Sequence, residues 1–420
     1  MEPGVYYLLF IIWALDLSRL YLFWRQYRII YSTTIPPPHL TGYIDSITFA
    51  EARESMMQKA SMAMLSIVFR VCARTYKILT FGCAVAWAAT WDIAGTTSSR
   101  AVAYNVLALF SARAPLIPLS AAVGVMSGHR TVNQAFHQMI TEIFFLFVHG
   151  LVTAMLTMLL INMTDSYSGL LFLILFPIST AIGAIFTVLY VNIIVPQIHD
   201  KLSSGPLYER LRLITDRLRF PDEKIYVERI STTDIIDTNS DITNAYYCGI
   251  LGANMVLLSQ KLVNEFSEDE VAAVISHELG HWYCKHTSIY FGLTALELFL
   301  ICNLLMWSYG NEWLFRVFGF DLIKDPPHPI IGVFIFVTML FPLFKQISTM
   351  ATGQISRYCE FEADRFAVRL GEADHLKRAL LKITAKNNAF PVYDPHYSNV
   401  LLTHPPVLER LAHIDDSQNM

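Results

Sequence analysis

Charge is scarce in this sequence. Asp, Glu, Lys and Arg supply 16% of its 420 residues and apolar types 54%, whereas soluble domains carry about 25% charged residues. A set of ordinary soluble domains, which the length alone would allow, is therefore excluded. Basic excess is missing too: the net charge of -4 provides no global field of the kind that holds nucleic acid, so that partner class drops out. The six cysteines form no C-x-x-C pair and no regular spacing, which argues against a disulfide framework or a thiolate zinc site and for a reduced, cytosol-facing setting. There is no internal repeat and no low-complexity tract. The apolar N-terminus lacks a basic leader and a small-residue cleavage site, and is expected to be a first membrane span, not a removable signal.

What the sequence does contain is long apolar runs. Seven stretches, 5–24, 78–94, 102–126, 143–161, 170–195, 289–307 and 330–344, approach the roughly 20 residues a span needs. The loop after the first holds Arg25, Arg28, Arg53, Lys59, Arg70, Arg74 and Lys77, while the opposite-side loops hold only Arg100, Arg316 and Lys324. Cytoplasmic loops carry the cationic excess, so the N-terminus is expected outside and the C-terminus inside. The expected organisation is a membrane region over 1–195 with a cytosolic loop at 25–77, a first polar segment over 196–288, a hairpin of two spans over 289–344, and a second polar segment over 345–420. The two polar segments would share one side of the membrane and build one domain. Asp16, Arg19, Arg113, His149 and Asn303 lie in or near spans, where a charge at mid-bilayer costs about 3 kcal/mol or more, so an interior-facing position is expected for them.

The chemistry lies in "SEDEVAAVISHELGHWYCKH". Ser267 and Glu270 form a capping box that predicts a helix start. From there Val274, His277, Glu278 and His281 fall at i, i+3, i+4 and i+7, one stripe facing inward. Two imidazoles one turn apart can hold one zinc ion, with Glu278 beside them to take a proton from water, an arrangement suited to peptide hydrolysis. "KIYVERI" and "NAYYCGILGANMVLLS", just before, read as short strands. His286 lies about 140° around a continuous helix from His281 and is not expected to be a ligand.

A third protein ligand is needed. "SRYCEFEADRFAV" offers Glu360, Ala363 and Asp364 on one helical face, with Glu362 nearly opposite. Glu360 is therefore the expected ligand, and Asp364 the group that orients a liganding imidazole. Read in isolation, the same segment is equally well a solvated acidic face paired with Arg357, Arg365 and Arg369.

These motifs, with "NAYYCG" (244–249), "FPVYD" and "THPPVLERL" (403–411), occur in the order, and between the spans, of the CAAX prenyl protease 1 family. The chain resembles that family of integral-membrane zinc endopeptidases, which remove the last three residues of prenylated proteins. The resemblance implies a mainly α, multi-pass fold of about seven transmembrane helices enclosing a chamber, plus a zincin-like domain with a small β-sheet. It implies one zinc ion per chain on His277, His281 and Glu360, with Glu278 as general base and Asp364 in support. His404 would help hold the developing oxyanion, and Arg410 would lie near the active centre. Asn244, Ala245 and Tyr246 would present an edge strand to the substrate peptide. The implied partners are a prenylated substrate and the lipid bilayer, and the implied location is the endoplasmic reticulum membrane, with the inner nuclear membrane as a second site.

The sequence departs from the family at "STTDIIDTNSDIT" (231–243), acidic and apolar where a basic, His-bearing stretch is usual, and at "VMSGHRTVN" (125–133), which lacks an acidic pair. Arg113 stands where an apolar residue is usual. A divergent but active paralogue is expected, since every catalytic position is retained. The competing readings are a membrane quality-control zinc protease acting on unfolded proteins, a catalytically divergent paralogue, and a non-catalytic polytopic receptor or transporter.

Overall fold

The computed structural model describes residues 2–114, 116–126, 131–167, 170–229 and 243–419; the departures at 127–130 and 231–242 lie outside them. The principal elements are helices α1 (Pro3–Ser32), α2 (Ser46–Leu79), α3 (Val132–Tyr167) and α4 (Leu171–Leu189), strand β1 (His199–Lys201), helix α5 (Pro206–Leu218) and strands β2 (Ile225–Glu228), β3 (Ala245–Ile250) and β4 (Ala253–Leu258). Helices α6 (Glu268–Tyr283), α7 (His286–Ser308), α8 (Phe341–Arg369), α9 (Ala373–Lys386) and α10 (Val407–Gln418) follow.

Among the described residues, five stretches are long and apolar enough to cross a membrane: Pro3–Ser32, Val132–Thr164, Leu171–Ile198, His286–Ser308 and Ile330–Arg369. The apolar window of Val132–Thr164 is only 17% buried within the protein and that of His286–Ser308 only 6%. Leu, Ile, Phe and Met thus point outward over most of these helices, which suits a lipid solvent and not water. Two of the seven expected spans are built differently. Residues 97–126 form two helices, Thr97–Arg113 and Leu116–Met126, and 78–94 contains only the seven-residue helix Gly82–Ala88.

The chain divides into two compact units, one of Met1–Asp16, Phe69–Pro177 and Leu298–Lys345, the other of Leu17–Val68, Ile178–Glu297 and Gln346–Met420. Within the first, Phe81 adopts a left-handed φ of 51° and interrupts the expected 78–94 span. Arg100 then lies 4.1 Å from the ring centre of Trp87 and 4.0 Å from that of Trp91, and pairs with Asp325 at 2.8 Å. A guanidinium held between two indoles and a carboxylate folds these apolar residues around itself. Ile78, Cys83 and Trp87 of the stretch are buried in the core, whereas Val85, Trp91 and Ile93 stay exposed. Asp16, expected to face an interior, is buried and meets Arg74 at 3.1 Å.

In the second unit the strands form one mixed sheet in the order β1-β2-β4-β3. β1 is antiparallel to β2, β2 parallel to β4, and β3 antiparallel to β4. Leu251 and Gly252, both at positive φ, make the tight turn of the β3–β4 hairpin. Strand β3 is left at an edge. Helix α6 lies against the sheet through Val271, Ile275 and Leu279, which share a buried cluster with Val256 and Leu258 of β4, Phe366 of α8 and Ala379 of α9. Both halves of its capping box are present, Ser267 Oγ accepting from the Glu270 N–H and Glu270 accepting from the Ser267 N–H. A cap of this kind contributes about 1 kcal/mol.

Candidate metal centre and substrate edge

The inward stripe of α6 carries His277, Glu278 and His281 to the face of the unit where α8 crosses it. A Cβ on Gly280 would lie 3.0 Å from Ala363 Cα and 3.1 Å from its carbonyl oxygen. The absent side chain lets the two backbones approach closely enough for α8 to bring Glu360 to the imidazoles. Glu360 and Asp364 are both buried, while Glu362, on the other flank of the helix, is partly exposed.

Three donor groups converge. His277 Nε2 and His281 Nε2 are 3.2 Å apart; His277 Nε2 lies 3.6 Å from Glu360 Oε2 and His281 Nε2 lies 3.6 Å from Oε1. Bonds of about 2.0–2.1 Å to tetrahedral zinc imply donor–donor edges of about 3.3 Å, close to these spacings. Both rings are also turned correctly. His277 Nδ1 sits 2.9 Å from Asp364 and His281 Nδ1 sits 2.9 Å from His286 Nδ1, which leaves both Nε2 atoms free for the same point. The residues therefore fit a divalent ion of the zinc type.

Electrostatics distinguish the two imidazoles. Burial and Arg410 oppose protonation of His277, but Asp364 and Glu360 outweigh them and push it up to about 9. Burial, together with the charge on His277, pushes His281 down to about 3. Without an ion, the pair carries a single positive charge, on His277, and an ion binding the two Nε2 atoms would displace the extra proton. Burial pushes the Glu278 carboxyl up to about 7, the range in which a group can both accept and return a proton.

Helix α10 and the loop before it complete the site. Arg410 grips Asp364 with two hydrogen bonds, Nε to Oδ2 at 2.9 Å and a terminal nitrogen to Oδ1 at 2.6 Å. A second terminal nitrogen is 3.6 Å from Glu360, and the surrounding carboxylates hold the guanidinium above its ordinary range although burial opposes this. His404 is exposed, its Nδ1 3.0 Å from Glu360, and that hydrogen bond raises its pKa. Arg357, one of the cations of the solvated-face reading, pairs instead with Glu409, leaving Glu360 to the imidazoles.

The donors open into a cavity of about 510 Å³ whose wall includes Asn244, Ala245, Tyr246, Glu278, His404 and Arg410. Its size suits a short peptide or a ligand of similar bulk. Strand β3 lines it, and the Tyr247 N–H donates to Glu278 at 2.8 Å. Successive residues of an antiparallel strand turn their main-chain groups to opposite sides. Asn244 exchanges both of its groups with Ser259, so Asn244 and Tyr246 face β4, whereas Ala245 and Tyr247 face the open edge. Of the three expected main-chain contacts, only Ala245 is thus directed to the cavity; Tyr247 replaces Tyr246, because pairing with β4 sets the alternation.

His286 and Glu362 were missed by the sequence reading. His286 is fully buried, with Nδ1 against His281 and Nε2 3.0 Å from Glu362. The 140° argument assumed a continuous helix, but α6 ends at Tyr283 and Lys285 takes a left-handed φ of 59°, which swings His286 back to His281. A non-glycine residue at that φ leaves no composition signal.

Comparison with known proteins places these features in context. Residues 207–418 match the family model of Peptidase family M48. The chain is 27% identical to the CAAX prenyl protease 1 homolog of Oryza sativa subsp. japonica, over 95% of this chain and 94% of the rice protein. It is 26% identical to the human protein of the same name, over 95% and 92% of the two chains. A shorter match to the CAAX prenyl protease 1 of Saccharomyces cerevisiae reaches 35%, over 51% and 48%. Among solved structures, S. mikatae Ste24p superposes with a TM-score of 0.69 at 25% identity, covering 97% of this chain and 99% of the other.

Proposed function

The chain belongs to peptidase family M48, and from that premise we propose how its residues divide the work of a membrane zinc protease that processes CAAX proteins. The substrate is a prenylated chain, and the bond cut is the peptide bond that releases its last three residues. His277, His281 and Glu360 would hold one zinc ion, which would supply Lewis acidity at the reacting centre. Glu278 takes a proton from the attacking water and returns it to the leaving amine as the C–N bond breaks. Asp364 accepts from His277 Nδ1 and is itself fixed by Arg410, so the pair orients a ligand. His404, at the cavity rim, stabilises the negative charge that develops on the carbonyl oxygen. The substrate backbone lies along the open edge of β3, opposite Ala245 and Tyr247.

The observation that carries this reading is the placement of a carboxyl poised near neutrality, Glu278, between the group of three donor residues and the free edge of a strand. The cationic loop after the first span supports catalysis on the cytosolic side, and a lipidated substrate suits the endoplasmic reticulum membrane, since its prenyl chain can stay in an apolar phase. The test uses purified protein with a farnesylated and an unfarnesylated a-a-X peptide. Chelator-sensitive release of the tripeptide from the lipidated peptide is expected, with a loss of about 10²–10⁴-fold in Glu278→Ala and zinc content unchanged. Cleavage indifferent to the lipid would replace this reading with a quality-control protease; no cleavage by wild-type protein would leave a binding protein.

A further inference from the structure

The turn that ends α6 carries a second set of metal-type donors. Lys285, at φ 59°, reverses the chain between Cys284 and the start of α7 at His286. Glu362 of α8, two residues beyond Glu360, reaches the same place. One atom each from the Cys284 thiol, the His286 imidazole and the Glu362 carboxylate lie within 4.8 Å of one another, and His286 Nε2 to Glu362 is 3.0 Å. Zinc bonds of about 2.0–2.3 Å to nitrogen, oxygen and sulfur imply edges of about 3.3–3.6 Å. A side-chain adjustment of about 1 Å therefore closes the group. His286 is buried, whereas Cys284 and Glu362 are partly exposed, so solvent reaches one side.

We propose that Cys284, His286 and Glu362 form a second site for a soft divalent ion of the zinc class. A thiolate–imidazole–carboxylate set selects such ions over magnesium or calcium. The ion would take His286 through Nε2, the ring nitrogen that faces Glu362, and Cys284 would release one proton to solvent as its sulfur–metal bond forms.

The test titrates full-length, tag-free protein in detergent with cobalt(II), following absorbance. A first equivalent without sulfur character is expected, then a second with a thiolate-to-cobalt charge-transfer band. Cys284→Ser and Cys284→Ala should lose that band and bind the second equivalent at least about tenfold more weakly, keeping the first. A single equivalent, a second one without a thiolate band, or a thiolate band unchanged in the variants would overturn the proposal.

Discussion

The two imidazoles of the metal centre stand on different foundations. His277 rests on Asp364, which has no exposed surface and is gripped twice by Arg410, itself only 13% exposed. His281 rests on a second ring, His286, and only through it on Glu362, whose side chain is 33% exposed. A largely buried ion pair cannot lose one member without leaving the other charge poorly compensated, whereas a hydrogen bond relayed to a partly solvated carboxylate is replaceable by water at small cost. One side of the centre is therefore rigid, and the other is open to adjustment by whatever binds near the surface.

The comparison is broken most severely at Asp364. Replacing it with alanine leaves the largely buried Arg410 without its partner, and a loss of about 3–5 kcal/mol in unfolding free energy is expected, together with about 10–100-fold weaker zinc retention against a chelator. Unfolding in detergent and metal analysis measure the two, and unchanged zinc retention would remove Asp364 from its orienting role. A smaller effect that bears on both sides at once is expected at Gly280. Gly280→Ala puts a methyl 3.0 Å from Ala363 Cα, which should cost about 1–3 kcal/mol as the helices part and weaken zinc binding with both supporting contacts intact. The smallest change sharpens the contrast: Glu362→Gln keeps an acceptor for His286 but removes its charge. A charged acceptor exceeds a neutral one by about 1 kcal/mol, so zinc affinity should fall about fivefold with stability unchanged. A loss as large as that of Asp364→Ala would show the two sides to be equivalent.

Much of the second unit is legible along the chain because its signals are local. The Ser267 box marks where α6 begins, the i, i+3, i+4, i+7 spacing gathers His277, Glu278 and His281, and the Leu251-Gly252 turn separates β3 from β4. Glu360 and Asp364 share a face for the same reason. Hydropathy was a poorer guide to the first unit, since it ranks residues by aversion to water and not by what replaces the water. The 78–94 stretch is as apolar as a span, yet Trp87 and Trp91 enclose Arg100.

By itself, the sequence determined a lipid-embedded, mostly helical chain, a capped helix bearing paired imidazoles and a base, and a carboxylate far along the chain to join them. Those follow from composition and from periodicities a few residues long. Tertiary structure alone decided which edge of β3 is open, that Gly280 brings two helices into backbone contact, and that a left-handed Lys285 returns His286 to the metal centre. Each depends on a neighbour distant in sequence or on a single backbone angle, and neither leaves a trace in residue spacing.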